Sequence, residues 1–518
     1  MKELISRKFL VKAKVALLAA SAVGWAWAQP VLVPAVQQYV AGEGEYVVKA
    51  PSVEALAIAE TKDGAIPSEG YVLTIAPGGI AVKSSDAAGA FYARQTLKQL
   101  AAPAGNGELK FPCATITDAP RFKWRGAMLD DCRHFFGKEV VKRMLDQMAA
   151  HKMNVFHWHL TEDQGWRLEI PKYPELVKYG AVRPASPAYG ARMKWNNGQM
   201  SMDLNTEPYG PYYYTEADVK EILAYAKARF ITVVPEIELP GHAFAALAAY
   251  PEMACVPENL RARHPRILWG IEKDVICVGN PAGIKFYEDV LDYVCELFPG
   301  EVIHIGGDET PRARWKECPK CQKFVKDHGL KDENDIQPWV TRHFADYLAK
   351  KGRRILGWDE ILAGDVPTSA MGMSWRVNKK SGAGTSFVSG AAGAMKGHDM
   401  VMSPTKFCYL DYGQGLAEDP YQYIGGTLTL EQVYAFDPCA GIDAASRAHV
   451  LGGQCNNWSE YTWNRFDLEW KMWPRAAAIA EVLWTYPAQP RDFAAFAARM
   501  ETHRRRLIKA GINCAPLK

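Results

Sequence analysis

The sequence has no strong excess of charge of either sign. It contains 61 lysine and arginine residues and 58 aspartate and glutamate residues, for a net charge of +3. Residues 1–28 carry five of the positive charges and one negative charge, so the remainder has a net charge of about −1. This balance gives no argument for a nucleic-acid partner, and none is expected.

The first 30 residues contain only a short apolar run and no long one. Residues 15–23 are apolar but too few to span a bilayer, which takes about 20 residues. They follow a positively charged start and precede Ala26-Trp27-Ala28, a small-x-small pattern typical of cleavage sites. We therefore predict a signal peptide over residues 1–28 and an exported protein, periplasmic, cell-surface or secreted, with no membrane span after signal cleavage. An uncleaved membrane anchor is the alternative interpretation.

A complete zinc-binding motif is missing too. Among 11 cysteines, Cys318 and Cys321 form a CxxC pair, and no second CxxC or HxxxH follows at a suitable distance. A local disulfide or free thiols are therefore favoured over a metal at this pair. Cys255 and Cys277 flank a loop with proline and arginine and are the predicted disulfide of an exported chain. No metal and no cofactor are predicted.

The chain of 518 residues is long enough for a large barrel and an accessory domain. Residues 29–118 have the pattern of a small α+β domain. Strands are predicted at 71–75 and 79–82, around the turn signal Pro77-Gly78, and an amphipathic helix at 86–100. This domain carries no evident chemistry, so support of the next domain is its expected role.

Residues 119–518 repeat a pattern of short apolar strand, loop and helix. The predicted strands are residues 126–130, 153–158, 231–235, 302–305, 355–358, 371–375, 400–403 and 450–454. Eight such units predict an α/β fold, a (β/α)8 TIM barrel with a helical C-terminal end. A doubly wound open sheet is the alternative, but no GxGxxG follows the first strand. Residues 180–214 have no clear periodicity and are predicted to form a long loop over the catalytic face.

Two adjacent carboxylates, Asp308 and Glu309, follow the fourth predicted strand. Burial of two unpaired charges is unfavourable by several kcal/mol, which points to a metal, a shared proton or an acid–base task. A helix N-cap followed by a first-turn glutamate is the alternative. In a barrel the strand ends converge, so the residues that follow the other strands join this pair. They are Arg133, His157, His159, Asp163, Glu236, His242, Trp358, Trp375, Tyr409, Asp411, Trp458 and Glu460.

Aromatic faces beside carboxylates and an arginine suit a pyranose sugar. The C–H face of the sugar packs on an indole ring, and its hydroxyls take charge-assisted hydrogen bonds. A metal site is the competing interpretation, with His157, His159, Glu236 and His242 as ligands, although no HExxH motif is present.

Four motifs in one order make the sequence recognisable. They are His304-Ile305-Gly306-Gly307-Asp308-Glu309, residues 157–166, residues 235–242 and Gly357-Trp358-Asp359-Glu360. Together they resemble the β-N-acetylhexosaminidases of glycoside hydrolase family 20. The similarity runs from residue 70 to residue 485 and includes residues 89–97 of the leading domain.

The resemblance implies a retaining mechanism in which the 2-acetamido group of the substrate attacks the anomeric carbon. Glu309 is then the general acid and base, and Asp308 orients the acetamido N–H and stabilises the oxazolinium. Tyr409 donates a hydrogen bond to the acetamido oxygen. Further roles implied by the resemblance are pocket walls for Trp358, Trp375 and Trp458, outer-hydroxyl contacts for Arg133, Asp411 and Glu460, and a supporting second layer for Asp163, His242 and His159. Glu162 and Glu238 stand where aspartate is expected, which affects pocket dimensions.

The resemblance implies an exo-acting enzyme that removes terminal β-linked N-acetylglucosamine or N-acetylgalactosamine from glycans. The alternatives are a lacto-N-biosidase-like enzyme of the same family, a non-catalytic glycan-binding barrel and a metal-dependent hydrolase. Glycans with a terminal N-acetylhexosamine are the expected partners.

Overall fold

The computed structural model describes residues 30–196, 199–377, 389–417, 419–486 and 491–517. The predicted signal peptide lies outside these residues. Across the described ranges, no helix combines the length and the apolar character that crossing a membrane requires.

The small domain is a six-stranded sheet with one long helix. The strands Gln38–Lys49, Glu108–Asp118, Tyr71–Ala76, Gly79–Ser84 and Ala59–Lys62 lie side by side in that order, and Ala102–Gly105 pairs with Glu108–Asp118. The helix Ala87–Leu100 begins after Asp86, whose side chain accepts the Gly89 N–H at 2.8 Å and so caps the helix. Its buried side packs with the alternating buried side chains of the sheet. The predicted hairpin and helix are therefore confirmed.

Eight parallel strands form a closed barrel, as predicted. In chain order they are Trp124–Asp130, Val155–His159, Thr232–Glu236, Val302–His304, Arg354–Trp358, Met371–Ser374, Met400–Met402 and Val450–Asn457. The barrel closes where the last strand pairs with the first, from Gly452 opposite Trp124 to Asn457 opposite Leu129. The (β/α)8 fold class is confirmed.

Helices follow the strands and cover the barrel. The longer ones are Lys138–Ala150, Glu216–Lys227, Pro281–Leu297, Pro319–Asp327, Ile336–Ala349, Arg465–Met472, Arg475–Trp484 and Phe493–Lys509. Shorter α-helices span Phe244–Ala249, Ala313–Glu317, Gly390–Met395, Thr405–Cys408 and Leu430–Tyr434. Single helical turns span Val53–Ala55, Leu176–Gly180, Pro251–Met253, Pro257–Leu260, Glu333–Asp335, Asp359–Leu362 and Ser446–His449.

The segment predicted as a long loop contains short antiparallel strand pairs. Ser186–Pro187 pairs with Leu204–Asn205, and Lys194–Asn196 pairs with Gln199–Ser201. Another such pair, Thr161–Glu162 with Gly165–Trp166, follows the second barrel strand. Strands of two or three residues are too short to give a recognisable alternation, so the sequence pattern missed them.

A buried ionic cluster joins the small domain to the barrel. Asp118, at the end of the last domain strand, lies 2.8 Å from the ammonium of Lys152, which follows the first barrel helix. The same carboxylate accepts hydrogen bonds from the Tyr71 hydroxyl at 2.8 Å and the Trp484 indole N–H at 2.9 Å. All four side chains are essentially buried, so the two parts share one continuous contact.

The predicted Cys255–Cys277 disulfide is absent, because both residues have free thiols. Ala254 and Ile276 form an antiparallel bridge that does bring the two cysteines together. However, Cys318 and Cys321 lie against them, and the four sulfurs form one group within 4.8 Å of one another. Sequence position could not show this grouping, because the CxxC pair Cys318 and Cys321 comes from another loop.

Candidate active site

One pocket opens at the carboxyl ends of the barrel strands. The pocket has a volume of about 300 Å³, at the lower end of the range of about 300–1,000 Å³ that is typical of ligand pockets. The lining residues are Arg133, Met193, His242, Trp269, Gly270, Ile271, Asp308, Glu309, Trp375, Tyr409, Asp411, Tyr412, Ile424, Trp458 and Glu460. Most of the residues predicted from the strand ends therefore meet in one place.

Asp308 and Glu309 are positioned by two glycines after the fourth strand. Gly306 and Gly307 have φ angles of 61° and 90°, which turn the chain sharply into the pocket. A Cβ atom on Gly306 would lie 1.7 Å from a carboxyl oxygen of Glu238, so a larger residue would require the Glu238 side chain or the turn to move. Glu309 itself has a φ of 45°, an uncommon backbone conformation of the kind that clusters at functional sites.

Asp308 is nearly buried, and one of its oxygens is unused. The residue is 9% exposed, and its Oδ1 atom has no hydrogen-bond partner among the described residues. Burial raises the pKa of Asp308 to about 6; the nearby His242 opposes the rise and the Glu309 charge adds to it. The Glu309 side chain is 25% exposed and lines the same pocket. A buried acceptor beside a more exposed carboxyl group gives the two residues different chemical environments.

His242 links the pair to the second strand. Its Nε2 lies 3.7 Å from both Asp308 Oδ2 and Glu309 Oε2. Its Nδ1 lies 2.7 Å from Glu162 and 3.3 Å from Asp163. Burial lowers the pKa of His242, but Glu162 and then Asp308 outweigh burial and hold it well above the ordinary value. Glu162 and Asp308 therefore favour the protonated, cationic form of His242.

Asp163 contacts His242, as the family resemblance implies, but Glu162 is the nearer of the two acidic partners. Asp163 also accepts the backbone N–H groups of Phe244 at 3.1 Å and Glu272 at 3.0 Å, which fixes two loops. Glu162 also lies 3.0 Å from the Arg133 guanidinium. The extra methylene of Glu162 lets one carboxylate reach both His242 and Arg133.

Arg133 is held among acidic and aromatic groups. Besides Glu162, it contacts Asp130 at 3.4 Å and donates from Nε to the Gln164 side chain at 3.1 Å. Its guanidinium carbon lies 5.0 Å from the centre of the Trp458 ring. Several fixed partners preorganise this cation for a ligand hydroxyl.

Trp375, Tyr409 and Trp458 form the aromatic wall. The Trp375 and Tyr409 rings are stacked with centroids 6.4 Å apart, and the Tyr409 and Trp458 centroids are 6.3 Å apart. The Trp375 indole donates to Glu360 at 3.0 Å, which fixes its ring. Trp358, the remaining predicted wall residue, is only 1% exposed and belongs to the barrel core behind Trp458.

Asp411 and Glu460 present unpaired acceptors to the pocket. Both Asp411 carboxylate oxygens and Oε2 of Glu460 are buried without a hydrogen-bond partner among the described residues. Burial and then the Glu460 charge raise the pKa of Asp411 to about 8. Buried polar atoms of this kind normally have a partner, so their oxygens suit ligand hydroxyl groups.

Glu236 is the centre of a network beneath the pocket that the sequence analysis did not recognise. The carboxylate lies 3.0 Å from ring nitrogens of His157 and His304, hydrogen-bonds His159, and accepts the Trp358 indole N–H at 2.8 Å. Burial lowers the pKa of His159, but Glu236 and other acidic neighbours outweigh it and raise the pKa to about 10. Of the residues in the competing metal interpretation, His157 and His159 thus contact Glu236, while His242 lies 3.7 Å from Asp308 and Glu309.

Several wall residues come from loops rather than strand ends. Trp269, Gly270 and Ile271 lie in the loop after the third strand, and Met193 lies in the segment after the second. The strand-end rule cannot find such residues, because long loops return to the pocket at positions that periodicity does not mark. The tryptophan-glycine pair between Cys255 and Cys277 was the available signal.

A closed eight-stranded barrel with paired carboxylates and an aromatic wall at the strand ends has the architecture of the TIM-barrel glycoside hydrolases. The chain belongs to glycosyl hydrolase family 20. The profile of that family's catalytic domain matches residues 122–487, and the profile of its domain 2 matches residues 7–119.

Known proteins of this family are similar over most of the chain. A beta-hexosaminidase of Porphyromonas gingivalis is 43% identical over 464 residues, 87% of this chain and 55% of the relative. One of Akkermansia muciniphila is 32% identical over 444 residues, 86% of this chain and 85% of the relative. The exo beta-N-acetylglucosaminidase of Vibrio harveyi, solved with N-acetylglucosamine, has a TM-score of 0.82 at 28% identity, covering 94% of this chain and 78% of that one. The chain therefore spans little more than half of the Porphyromonas relative.

Proposed function

We propose that the protein is an exo-acting, retaining β-N-acetylhexosaminidase that hydrolyses terminal β-linked N-acetylglucosamine or N-acetylgalactosamine from glycans. The observation that carries the proposal is the unused Oδ1 of buried Asp308 in the pocket that Glu309 lines. A buried carboxylate oxygen is an acceptor suited to an amide N–H, which a 2-acetamido sugar supplies and a plain sugar lacks. The names of the relatives support the same substrate class.

The pocket supports catalysis assisted by the substrate. Glu309 protonates the leaving-group oxygen while the acetamido oxygen attacks the anomeric carbon. Asp308 accepts the acetamido N–H and stabilises the positive charge of the oxazolinium, and Tyr409 donates to the acetamido oxygen to align it. Glu309 then takes a proton from water, whose attack at the anomeric carbon opens the oxazolinium and restores the original configuration.

Exo action is supported by the acceptors on the far wall. Arg133, Asp411 and Glu460 lie in the same pocket as the catalytic pair, and three of their carboxylate oxygens await hydrogen-bond donors. These groups suit the free hydroxyls of a terminal sugar. In a sugar within a chain, a glycosidic bond to the next residue would take the place of one of these hydroxyls.

The test compares release of an aryl group from the β-N-acetylglucosaminide and from the plain β-glucoside. We expect rapid hydrolysis of the first and almost none of the second. Equal hydrolysis of both would contradict substrate assistance, and glycan binding without hydrolysis would favour a binding protein.

Two substitutions assign the roles. Glu309→Gln should lower kcat at least about a hundredfold, a typical general-acid contribution. Asp308→Asn should be similarly inactive, because the amide no longer carries the charge that stabilises the oxazolinium. Glu317→Gln, an exposed glutamate on the following helix, is the matched control and should keep full activity. A normal rate for either pocket variant would refute its assigned role.

Export is a further part of the proposal, supported by the charged start, short apolar run and Ala26-Trp27-Ala28 pattern. Cell fractionation and N-terminal sequencing test it. A mature chain beginning at Gln29 outside the cytoplasm is expected. A chain that keeps residues 1–28 in the membrane would favour the anchor instead.

A further inference from the structure

Four cysteine sulfurs meet beside the active site and take no part in the proposed reaction. Cys255 and Cys277 lie at the base of the loop after the third barrel strand, and Cys318 and Cys321 lie at the start of the helix Pro319–Asp327. The sulfur–sulfur distances are 3.7 Å for Cys255–Cys321, 3.7 Å for Cys277–Cys318 and 3.6 Å for Cys277–Cys321. All four sulfurs lie within 4.8 Å of one another.

These distances match a tetrahedral metal site. A Zn–S bond of about 2.3 Å places the sulfurs of a tetrahedron about 3.8 Å apart. A disulfide needs sulfurs about 2.05 Å apart. The observed spacing of 3.6–3.7 Å therefore fits four ligands around one central ion and does not fit two disulfide bonds.

The cluster is enclosed by closely packed backbone. Cys277, Cys318 and Cys321 are buried, and Cys255 is partly buried. A Cβ atom on Gly279 would lie 2.2 Å from the carbonyl carbon of Lys320, so the two loops touch without room for a side chain. Four protein ligands leave no coordination position for water or substrate, which is the property of structural metal sites.

We propose that Cys255, Cys277, Cys318 and Cys321 together bind one zinc ion as thiolates. Each thiol releases its proton to solvent as its Zn–S bond forms. A tetrahedral set of four thiolates selects zinc or iron, and zinc is the usual ion of closed four-cysteine structural sites.

The zinc site joins two loops of the active-site face. The bridge between Ala254 and Ile276 closes the base of the loop whose tip, with Trp269 and Ile271, lines the pocket. Trp315, in the segment after the catalytic pair, donates its indole N–H to the Ile276 carbonyl at 2.8 Å. Arg314 and Asp274 form an ion pair between the same loops at 2.6 Å. The ion therefore fixes the base of a pocket loop against the segment that follows Asp308 and Glu309.

The metal content of the intact protein tests the proposal. We expect one zinc per chain by native mass spectrometry and by elemental analysis of protein purified without chelator. Cys321→Ser should lose the zinc, whereas Cys295→Ser, a cysteine outside the cluster, should keep it. Wild-type protein without bound zinc after dialysis against zinc chloride, or with iron in its place, would overturn the proposal.

Two further measurements test the proposal on wild-type protein and do not require that Cys321→Ser folds. In wild-type protein, a zinc chelator should lower the Tm by about 5 °C or more, and added zinc should restore it. Peptide mapping under non-reducing conditions should find the four cysteines as free thiols once zinc is removed. A disulfide among them in freshly purified protein would contradict the zinc site. None of these measurements depends on sugar hydrolysis.

Discussion

At the scale of single residues, Asp308 and His242 should determine how the proposed activity falls at acidic pH. The proposed reaction needs Asp308 ionised, and its pKa is raised to about 6. The kcat/KM of the β-N-acetylglucosaminide should therefore fall about tenfold per pH unit below pH 6. The measurement is a pH–rate profile of the wild-type protein, and a profile flat down to pH 4 would contradict it.

Replacing His242 should move this acid limb. The His242 cation, 3.7 Å from Asp308, lowers the pKa of that carboxyl group. In His242→Gln the pKa should rise, and the acid limb should move upward by about one pH unit. His328→Gln, at an exposed position, is the control and should leave the profile unchanged. A lower rate at every pH with the same limb would mean that His242 is only structural.

The sequence predicted pocket residues where a strand ends and failed where a loop returns. Asp308, Glu309 and Trp458 follow apolar strands, so convergence of strand ends in a barrel places them together. Trp269 is far from any strand end, and no sequence period marks it. Trp358 is also at a strand end, but it lies behind the aromatic wall of the pocket, because the last residue of a strand can point into the barrel core.

At the scale of elements, the end of the fourth strand depends on its glycine. Gly306→Ala would bring a Cβ atom to 1.7 Å from Glu238, on top of a φ of 61°. Glu238 and the catalytic turn must then separate, and an error of about 1 Å at the pair can lower the rate about a hundredfold. Soluble yield, Tm and aryl-glycoside hydrolysis measure the effect.

Gly329→Ala is the control that distinguishes the steric overlap with Glu238 from the effect of a left-handed backbone conformation. Gly329 has a φ of 62°, and a Cβ atom there meets nothing within 4 Å. Gly329→Ala should lower the free energy of unfolding by about 1–2 kcal/mol, because alanine disfavours the left-handed conformation. The rate of hydrolysis should stay unchanged. If Gly306→Ala behaved in the same way, the contact with Glu238 would not be the reason for the glycine.

Regular elements were predictable because their burial repeats along the chain. The eight barrel strands and the helix Ala87–Leu100 had apolar patterns of the right period, and their bounds shifted by only a few residues. The pairs Ser186–Pro187 with Leu204–Asn205 and Lys194–Asn196 with Gln199–Ser201 had too few residues to show one.

At the scale of the whole molecule, the Asp118–Lys152 pair joins the small domain to the barrel. Asp118→Asn leaves the buried Lys152 ammonium without its charge partner, and burial already lowers the pKa of Lys152. Breaking a buried pair costs about 3–5 kcal/mol, so the Tm should fall. Thermal unfolding measures this change, and the rate per folded molecule should stay near normal.

An exposed pair provides the comparison. Asp327→Asn removes the partner of Lys323 in a solvent-exposed pair on one helix, which should change the Tm very little. Equal Tm values for Asp118→Asn and Asp327→Asn would show that the buried pair does not hold the two parts together.

Sequence spacing does not reveal contacts between distant segments of the chain. Cys318 and Cys321 formed half of a motif, and their partners Cys255 and Cys277 stand about 60 and 40 positions earlier in another loop. Only the closed barrel brings the third and fourth strand loops side by side, so spacing alone could not show that the four cysteines meet.

The hydrogen bond from the Ser459 N–H to Asp130, at 2.9 Å, joins residues 329 positions apart. A ribosome adding about 5–20 residues per second makes Ser459 roughly 16–66 seconds after Asp130. Throughout that interval, Arg133 and its acidic partners exist on a growing chain that has no eighth strand and no closed pocket. The contact between Ser459 and Asp130, and the closed pocket above it, can therefore form only after the eighth strand has been made.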